Sequence, residues 1–206
     1  MTLDREPLLH PVAIDDLRPT QMTVGYREVE RKRREWRTRK GVESREYLGR
    51  HMIPVVIGPK GRCWMIDNHH LARALHEEGV TDVLVRVVAD LSEVEGRLFR
   101  TFMDNRNWLH PFDARGRRHA VGKIPRHVRD LSDDPYRSLA GELRRSGGYA
   151  KDDTPFSEFL WADFLRRHVS DELVQHDFTA ATEHALGIAR TSKAAYLPGW
   201  AGPHSD

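Results

Sequence analysis

The chain has 206 residues, 39% hydrophobic and 31% charged, a balance that excludes wholesale disorder, a collagen-like repeat and a coiled coil. Its 33 basic and 31 acidic residues nearly cancel to +2, which weakens, without excluding, a nucleic-acid binder. A lone cysteine, Cys63, removes any intrachain disulfide and any Cys-based zinc cluster.

No apolar run approaches the roughly 20 residues of a membrane-spanning helix. A secretory leader places positive charge before an apolar stretch, whereas Met1–His10 carries Asp4, Arg5 and Glu6. The expectation is a soluble, cytoplasmic protein.

Residues 1–13 read as a loose arm and residues 14–23 as an irregular lead-in ending at Pro19-Thr20-Gln21. Val24–Arg39 lacks proline and is rich in Glu, Lys and Arg, so it predicts a helix that Gly41 ends. Ile53–Ile57 and Cys63–Ile66 are short apolar runs around Gly58-Pro59-Lys60-Gly61, the pattern of a hairpin. Asp67-Asn68-His69-His70 then opens a helical run through Leu71 and Leu75, closed by Gly79. Val83–Val88 is apolar on both faces apart from Arg86, which predicts a central, covered strand. Ser92 and Glu95 fit a capping box for a helix reaching Asn107.

Strand signals then disappear. Asp134-Pro135 opens a helix to about Arg145, stopped by Gly147-Gly148, and Thr154-Pro155 opens another over Phe156–His168. A helical pair is expected within Ser170–Arg190, before a frayed tail at Pro198–Asp206. The fold class is therefore α/β (α+β): a small mixed sheet with helices over residues 12–108, a helical extension over 120–190 and a flexible tail over 191–206. Phe156, Phe159, Leu160, Trp161, Phe164 and Leu165 form an apolar stripe expected to pack the extension on the α/β core.

The strand–turn–helix at Trp64–Leu75 carries the chemistry. Backbone N–H groups at a helix start are unpaired and the helix dipole adds positive charge, so the site suits an anion. His69, His70 and Arg73 would donate to its oxygens, and Asp67 could hold a metal ion or accept a proton. The alternative reading makes Asp67 or Asn68 an N-cap and the histidines surface residues. Arg31–Lys40 holds seven basic side chains, either a phosphate-attracting face or a solvated helix paired with Glu28, Glu30 and Glu35. Cys63, inside an apolar strand, reads as a small buried hydrophobe. No Cys-rich or His-Glu-x-x-His pattern calls for a structural zinc.

Ile53–Ile57 followed by Met65–His70 resembles the signature of the ParB/sulfiredoxin superfamily. More closely, the chain resembles the putative ParB-like nuclease family. The likeness runs over about residues 14–168: Leu17–Gln21 with Val24-Gly25, Asp67–Leu75, Asp133–Gly141, Gly147–Lys151 and Phe159–Phe164. It implies a phosphate or triphosphate held at the helix start. His70 and Asp67 match the His and the acidic residue of the kinase-type Asp-Gly-x-His-Arg motif. Asn68 replaces its Gly, and Leu71 stands where its Arg would be, leaving Arg73 as substitute. Gln21 echoes a Gln of the partitioning proteins.

These readings together predict a nucleotide- or phosphate-binding phosphotransferase or nucleotide hydrolase acting on a small molecule. Asp67, His70 and Glu30 would be catalytic, with Asp67 also the metal ligand. Asn68, His69, His70, Arg73, Gln21 and Lys32 would bind phosphate, and Mg²⁺ with ATP or another nucleoside phosphate would be the cofactor. The partner would be a nucleotide or phosphorylated small molecule. The alternatives are a DNA-binding nuclease using Arg31–Lys40 and a non-catalytic nucleotide-binding module.

Overall fold

The computed structural model describes residues 10–203. In chain order they form β1 (His10–Ala13), β2 (Thr23–Val24), α1 (Tyr26–Arg37), α2 (Val42–Arg50), β3 (Ile53–Gly58), β4 (Arg62–Met65) and α3 (His69–Glu77). There follow β5 (Asp82–Asp90), α4 (Gly96–Asn105), β6 (Ser132–Asp133), α5 (Pro135–Arg145), α6 (Ser157–His168), α7 (Asp171–His176) and α8 (Phe178–Ala189). The mixed α+β class expected from the sequence is what the chain adopts.

Two units emerge. The first takes the chain to Met22, Val29–Phe112 and Arg118–Ser132; the second takes Thr23–Glu28, Asp113–Arg117 and everything from Asp133.

The first unit is built on a four-stranded sheet in the order β1-β5-β3-β4. β3 runs antiparallel to β4 and parallel to β5, and β5 runs antiparallel to β1. The expected hairpin is present, its turn a short 3₁₀ segment at Pro59–Gly61. Ile53, Val55 and Val56 are buried, as the β-branched apolar run of β3 requires. β5 is central as expected, but it is not covered along its length: Val87 and Val88 are exposed. The β3–β5 register shifts at Val55/Val56, beside this stretch of β5.

β1 falls in what reads as a loose arm from sequence. Its Pro11 is tolerable on an outer strand of the described sheet. The rest of that arm, residues 1–9, lies outside the described residues. α2 is also absent from the sequence expectation. The predicted capping box is corrected: Glu95 is the N-cap of α4, and the Ser92 N–H instead binds Asp90 Oδ1 at 3.0 Å. α4 buries Phe99 and Met103 with Val56, Leu109 and Ile124, and Trp64 meets the Phe99 ring at 5.3 Å between centroids.

The second unit makes its own core. Leu139 and Leu143 of α5, Trp161, Phe164 and Leu165 of α6, and Ala181 and Ala185 of α8 are buried together. Of the predicted apolar stripe, Trp161, Phe164 and Leu165 fill the helical unit's own interior, whereas Phe156 is half-buried and Leu160 exposed. Asp134 caps α5 as predicted, its Oδ1 accepting from the Tyr136 N–H at 3.0 Å. Thr154 does not cap α6; Phe156, in the left-handed region, precedes its first turn.

Tyr149 stacks on Trp161 at 4.3 Å and its hydroxyl donates to the Ala140 carbonyl, so burial pushes the phenol pKa well up. Residues 191–200, part of the expected tail, bond to the helices. Trp161 Nε1 donates to the Pro198 carbonyl at 2.8 Å, and Trp200 Nε1 to that of Ala189 at 2.9 Å. Buried indoles need such acceptors, and these hold the segment in place.

The first turn of α1 belongs to this second unit. Asp133 Oδ1 accepts from the Tyr26 N–H at 2.7 Å, and Ser138 Oγ from the Arg27 N–H at 3.2 Å. A Cβ on Gly25 would lie 2.6 Å from the Ser138 nitrogen, so only glycine allows this approach. Glu28 is buried beside Gly141 and pairs with Arg145.

Candidate functional site

The lead-in segment lies along β4: Arg18 N–H donates to the Cys63 carbonyl at 2.8 Å, and Met65 N–H to that of Arg18 at 2.9 Å. That pairing delivers Thr20 to the junction between β4 and α3. Thr20 is buried and bonded on three sides. Its hydroxyl donates to the Met65 carbonyl at 2.7 Å, its N–H donates to His69 Nε2 at 3.1 Å, and its carbonyl accepts from His110 N–H at 2.7 Å.

His69 is therefore not a surface phosphate ligand. It is 4% exposed, and its Nε2 accepts a backbone proton from 49 residues away. An imidazole accepting at Nε2 is neutral with its proton on Nδ1. Next in the chain, buried Gln21 bridges to His110, whose ring stacks on Phe112 at 4.4 Å. Sequence reasoning singled out Gln21 and His69 but missed Thr20 and His110. No local signal marks either, because they meet the site through contacts distant in sequence.

Asn68 sits in the left-handed region (φ 62°, ψ 26°), which Asn tolerates better than most residues. Its amide nitrogen donates to the Met52 carbonyl at 3.2 Å, while its N–H donates to Asp67 Oδ1 at 2.7 Å. Asn68 consequently makes no capping bond to α3. The first turn of α3 begins with its N-cap side chain turned away, Asp67 exposed beside it and His70 half-buried in it. A helix start whose N-cap side chain makes no bond to it suits an anion.

Arg73 points elsewhere. Its Nε donates to Glu77 at 2.6 Å, and its Nη1 serves the carbonyls of Val128 (3.3 Å), Arg129 and Leu131 (3.1 Å). Those bonds hold the 3₁₀ turn Val128–Asp130 against α3.

The structure does not bring Glu30 to the α3 start either. Glu30 pairs with Arg33 at 3.0 Å, and Arg33 reaches Glu77 at 3.1 Å and Glu78 at 2.7 Å. Those partners lie at the far end of α3, about 12 Å along its axis from His69. Lys32 is half-buried on the same helix α1. The site thus gathers Asp67, Asn68, His69, His70 and Gln21, and leaves out Arg73 and Glu30.

Three arginines of α1 are paired, Arg31 with Glu35, Arg33 with Glu30 and Arg37 with Glu78 at 2.7 Å, and beyond the helix Arg39 stacks over the Tyr47 ring at 4.1 Å. Arg37 above all, with Arg33, holds the Glu78 carboxyl below the usual range. Burial pushes the Cys63 thiol up, which opposes thiolate formation and agrees with a structural cysteine. Among the described residues no group of three or more His, Cys, Asp or Glu could hold a metal ion. Also among them, no helix is long and apolar enough to cross a membrane.

No curated protein matches the chain. Among solved structures, the crystal structure of protein Atu1540 from Agrobacterium tumefaciens is similar: 49% identical, over 96% of this chain and 100% of that one, with a TM-score of 0.89. The family model described as putative ParB-like nuclease matches residues 10–167, which include the lead-in segment, the β4–α3 junction and nearly all of α6. On that match the chain belongs to the putative ParB-like nuclease family.

Proposed function

We propose that the start of α3 binds a phosphate group of a nucleotide or another phosphorylated small molecule, and that the protein transfers or hydrolyses that phosphate. One observation carries the reading: Asn68 turns its amide to Met52 and makes no capping bond to α3, at a helix start between exposed Asp67 and half-buried His70. Backbone N–H groups of that turn would donate to the phosphate oxygens, with His70 donating to one of them. Gln21, fixed through Thr20 and His69, borders the same junction. Asp67 is the general-base candidate, since the carboxylate of Glu30 is engaged by Arg33 and Arg37.

Mg²⁺ would enter this site carried on the phosphates, with Asp67 as a carboxylate ligand. When bound it would neutralise charge on the phosphate oxygens. A cytoplasmic setting, where nucleotides are abundant, belongs to the same proposal. DNA is the competing substrate, and the paired arginines of α1 weigh against a broad backbone-tracking face.

A thermal-shift series with nucleoside phosphates, with and without Mg²⁺, tests the reading. The expected result is a dose-dependent rise in Tm that Asp67→Asn and His70→Ala reduce without changing the unliganded Tm. Wild-type responses in both variants would remove the site from α3. A steep salt-dependent affinity for duplex DNA, with no response to nucleotides, would replace the reading with a nuclease.

A further inference from the structure

The helical unit holds an open cleft of about 730 Å³, lined in part by Arg115, Tyr136, Arg167, His168 and Asp171. Such a volume suits a small ligand. Its construction is unusual for an incidental surface groove, because one wall is fixed by charged groups used entirely inward. Arg166 donates from Nε to the Ala114 carbonyl at 3.1 Å and from Nη2 to Asp134 at 2.7 Å, and it also pairs with Asp163. The tight turn at Asp113–Arg117 is held from within as well: Asp113 Oδ1 accepts from the N–H groups of Arg115 and Arg117, both at 2.9 Å. A Cβ on Gly116 would press within 2.8 Å of Asp163 Oδ1, so the turn lies close against α6.

This framework holds Arg115 at the cleft from one side, while Arg167 and His168 face it from the end of α6. Neither the Arg115 nor the Arg167 guanidinium has a carboxylate or carbonyl partner among the described residues. His168 spends Nδ1 on the Phe164 carbonyl at 2.8 Å, which leaves Nε2 as the ring nitrogen for a ligand. Asp171, the carboxylate of the lining, accepts from Gln175 Nε2 at 2.7 Å. Tyr136 adds an aromatic wall, its hydroxyl donating to the Val169 carbonyl.

We propose that this cleft is a second ligand site, for a small organic oxyanion whose charged group is held by Arg115 and Arg167 with His168 Nε2. Guanidinium forks match the planar or tetrahedral oxygens of carboxylates and phosphates, and a turn already locked in place lowers the ordering cost of binding. The site shares no residue with the start of α3.

Titration with inorganic phosphate and, separately, with citrate, followed through the His168 ring protons by NMR, tests the proposal. Saturable shifts are expected with at least one probe, weakened about tenfold or more in Arg115→Ala/Arg167→Ala, since each substitution removes a charge-assisted bond. Tighter phosphate binding assigns a phosphorylated ligand, and tighter citrate binding a polycarboxylate. Asp67→Asn must leave the titration unchanged. No saturable shift with either probe, unchanged affinity in the double variant, or loss on Asp67→Asn would each overturn the proposal. Both arginine side chains are exposed, so the double variant should keep its fold; Arg115→Glu gives an independent second variant.

Discussion

The Thr20 N–H donates to His69 Nε2 at 3.1 Å, joining the lead-in segment to the first residue of α3 across 49 positions of chain. Both residues are buried, so the bond has no water to replace it. His69→Ala should lower stability by about 1–3 kcal/mol, the cost of a buried donor left without an acceptor. His69→Gln, which can offer a side-chain oxygen, should recover part of it. Urea denaturation measures the loss, and hydrogen exchange at the Thr20 amide should show protection falling in the alanine variant. Unchanged protection there would mean another group satisfies that amide.

Gly25 and Gly49 should respond oppositely to alanine. At Gly25 the new methyl would meet Ser138 nitrogen and Oγ at 2.6 Å, whereas at Gly49 in α2 nothing lies within 4 Å. Gly25→Ala should therefore destabilise by about 1–3 kcal/mol through overpacking. Gly49→Ala should stabilise by roughly 0.5–1 kcal/mol through helix propensity. Thermal denaturation of the two variants side by side makes the comparison, and equal effects would sink it.

Glu78 links stability to pH. Its carboxyl lies below the usual range in the folded chain, Arg37 being the main cause and Arg33 the next. A carboxyl depressed on folding contributes above its unfolded pKa, and that contribution disappears as pH falls through the folded value. Glu78→Gln should thus have a lower Tm than wild type at pH 7, with the gap closing in acid and narrowing in high salt. A gap independent of pH would assign the effect to packing.

Arg73 should behave as a brace. Its Nη1 serves three carbonyls between Val128 and Leu131, a geometry that lysine reproduces poorly. Arg73→Ala should cost about 1–3 kcal/mol and speed hydrogen exchange around residues 128–131. Arg73→Lys should fall between that variant and wild type. If Arg73→Ala abolished phosphate binding while leaving stability and exchange intact, the residue would return to the ligand site.

Much of the α3 region is legible in the sequence because its signals are local. Two apolar runs around Gly58–Gly61 predict the β3–β4 hairpin, and Asp67–His70 followed by an apolar helical stripe marks the start of α3. The internal pairing of α1 is legible too, since Glu30–Arg33 and Arg31–Glu35 follow helical spacing. What sequence periodicity does not carry is the choice among chemically similar neighbours. His69 and His70 are adjacent and identical, yet one is consumed by Thr20 while the other stays half-exposed. Arg73 has the right charge one turn in, but carbonyls of a distant 3₁₀ turn claim it. β1 escapes detection for a different reason: four residues with a proline carry no period of their own.

The helical unit is put together from three separated stretches of chain, and one of the two short ones, Thr23–Glu28, supplies Gly25 against Ser138 and Glu28 against Arg145. Such a unit is not a cassette. A cut at Ser132 would strip the α1 start of the Asp133 acceptor for Tyr26 and leave buried Glu28 without its cation. Conversely, a fragment beginning at Asp133 would expose the surface of Ser138 and Gly141 that the six-residue piece covers. Neither half can be exchanged between relatives by a single crossover; recombination that preserves folding must carry residues 23–28 together with residues 133–145.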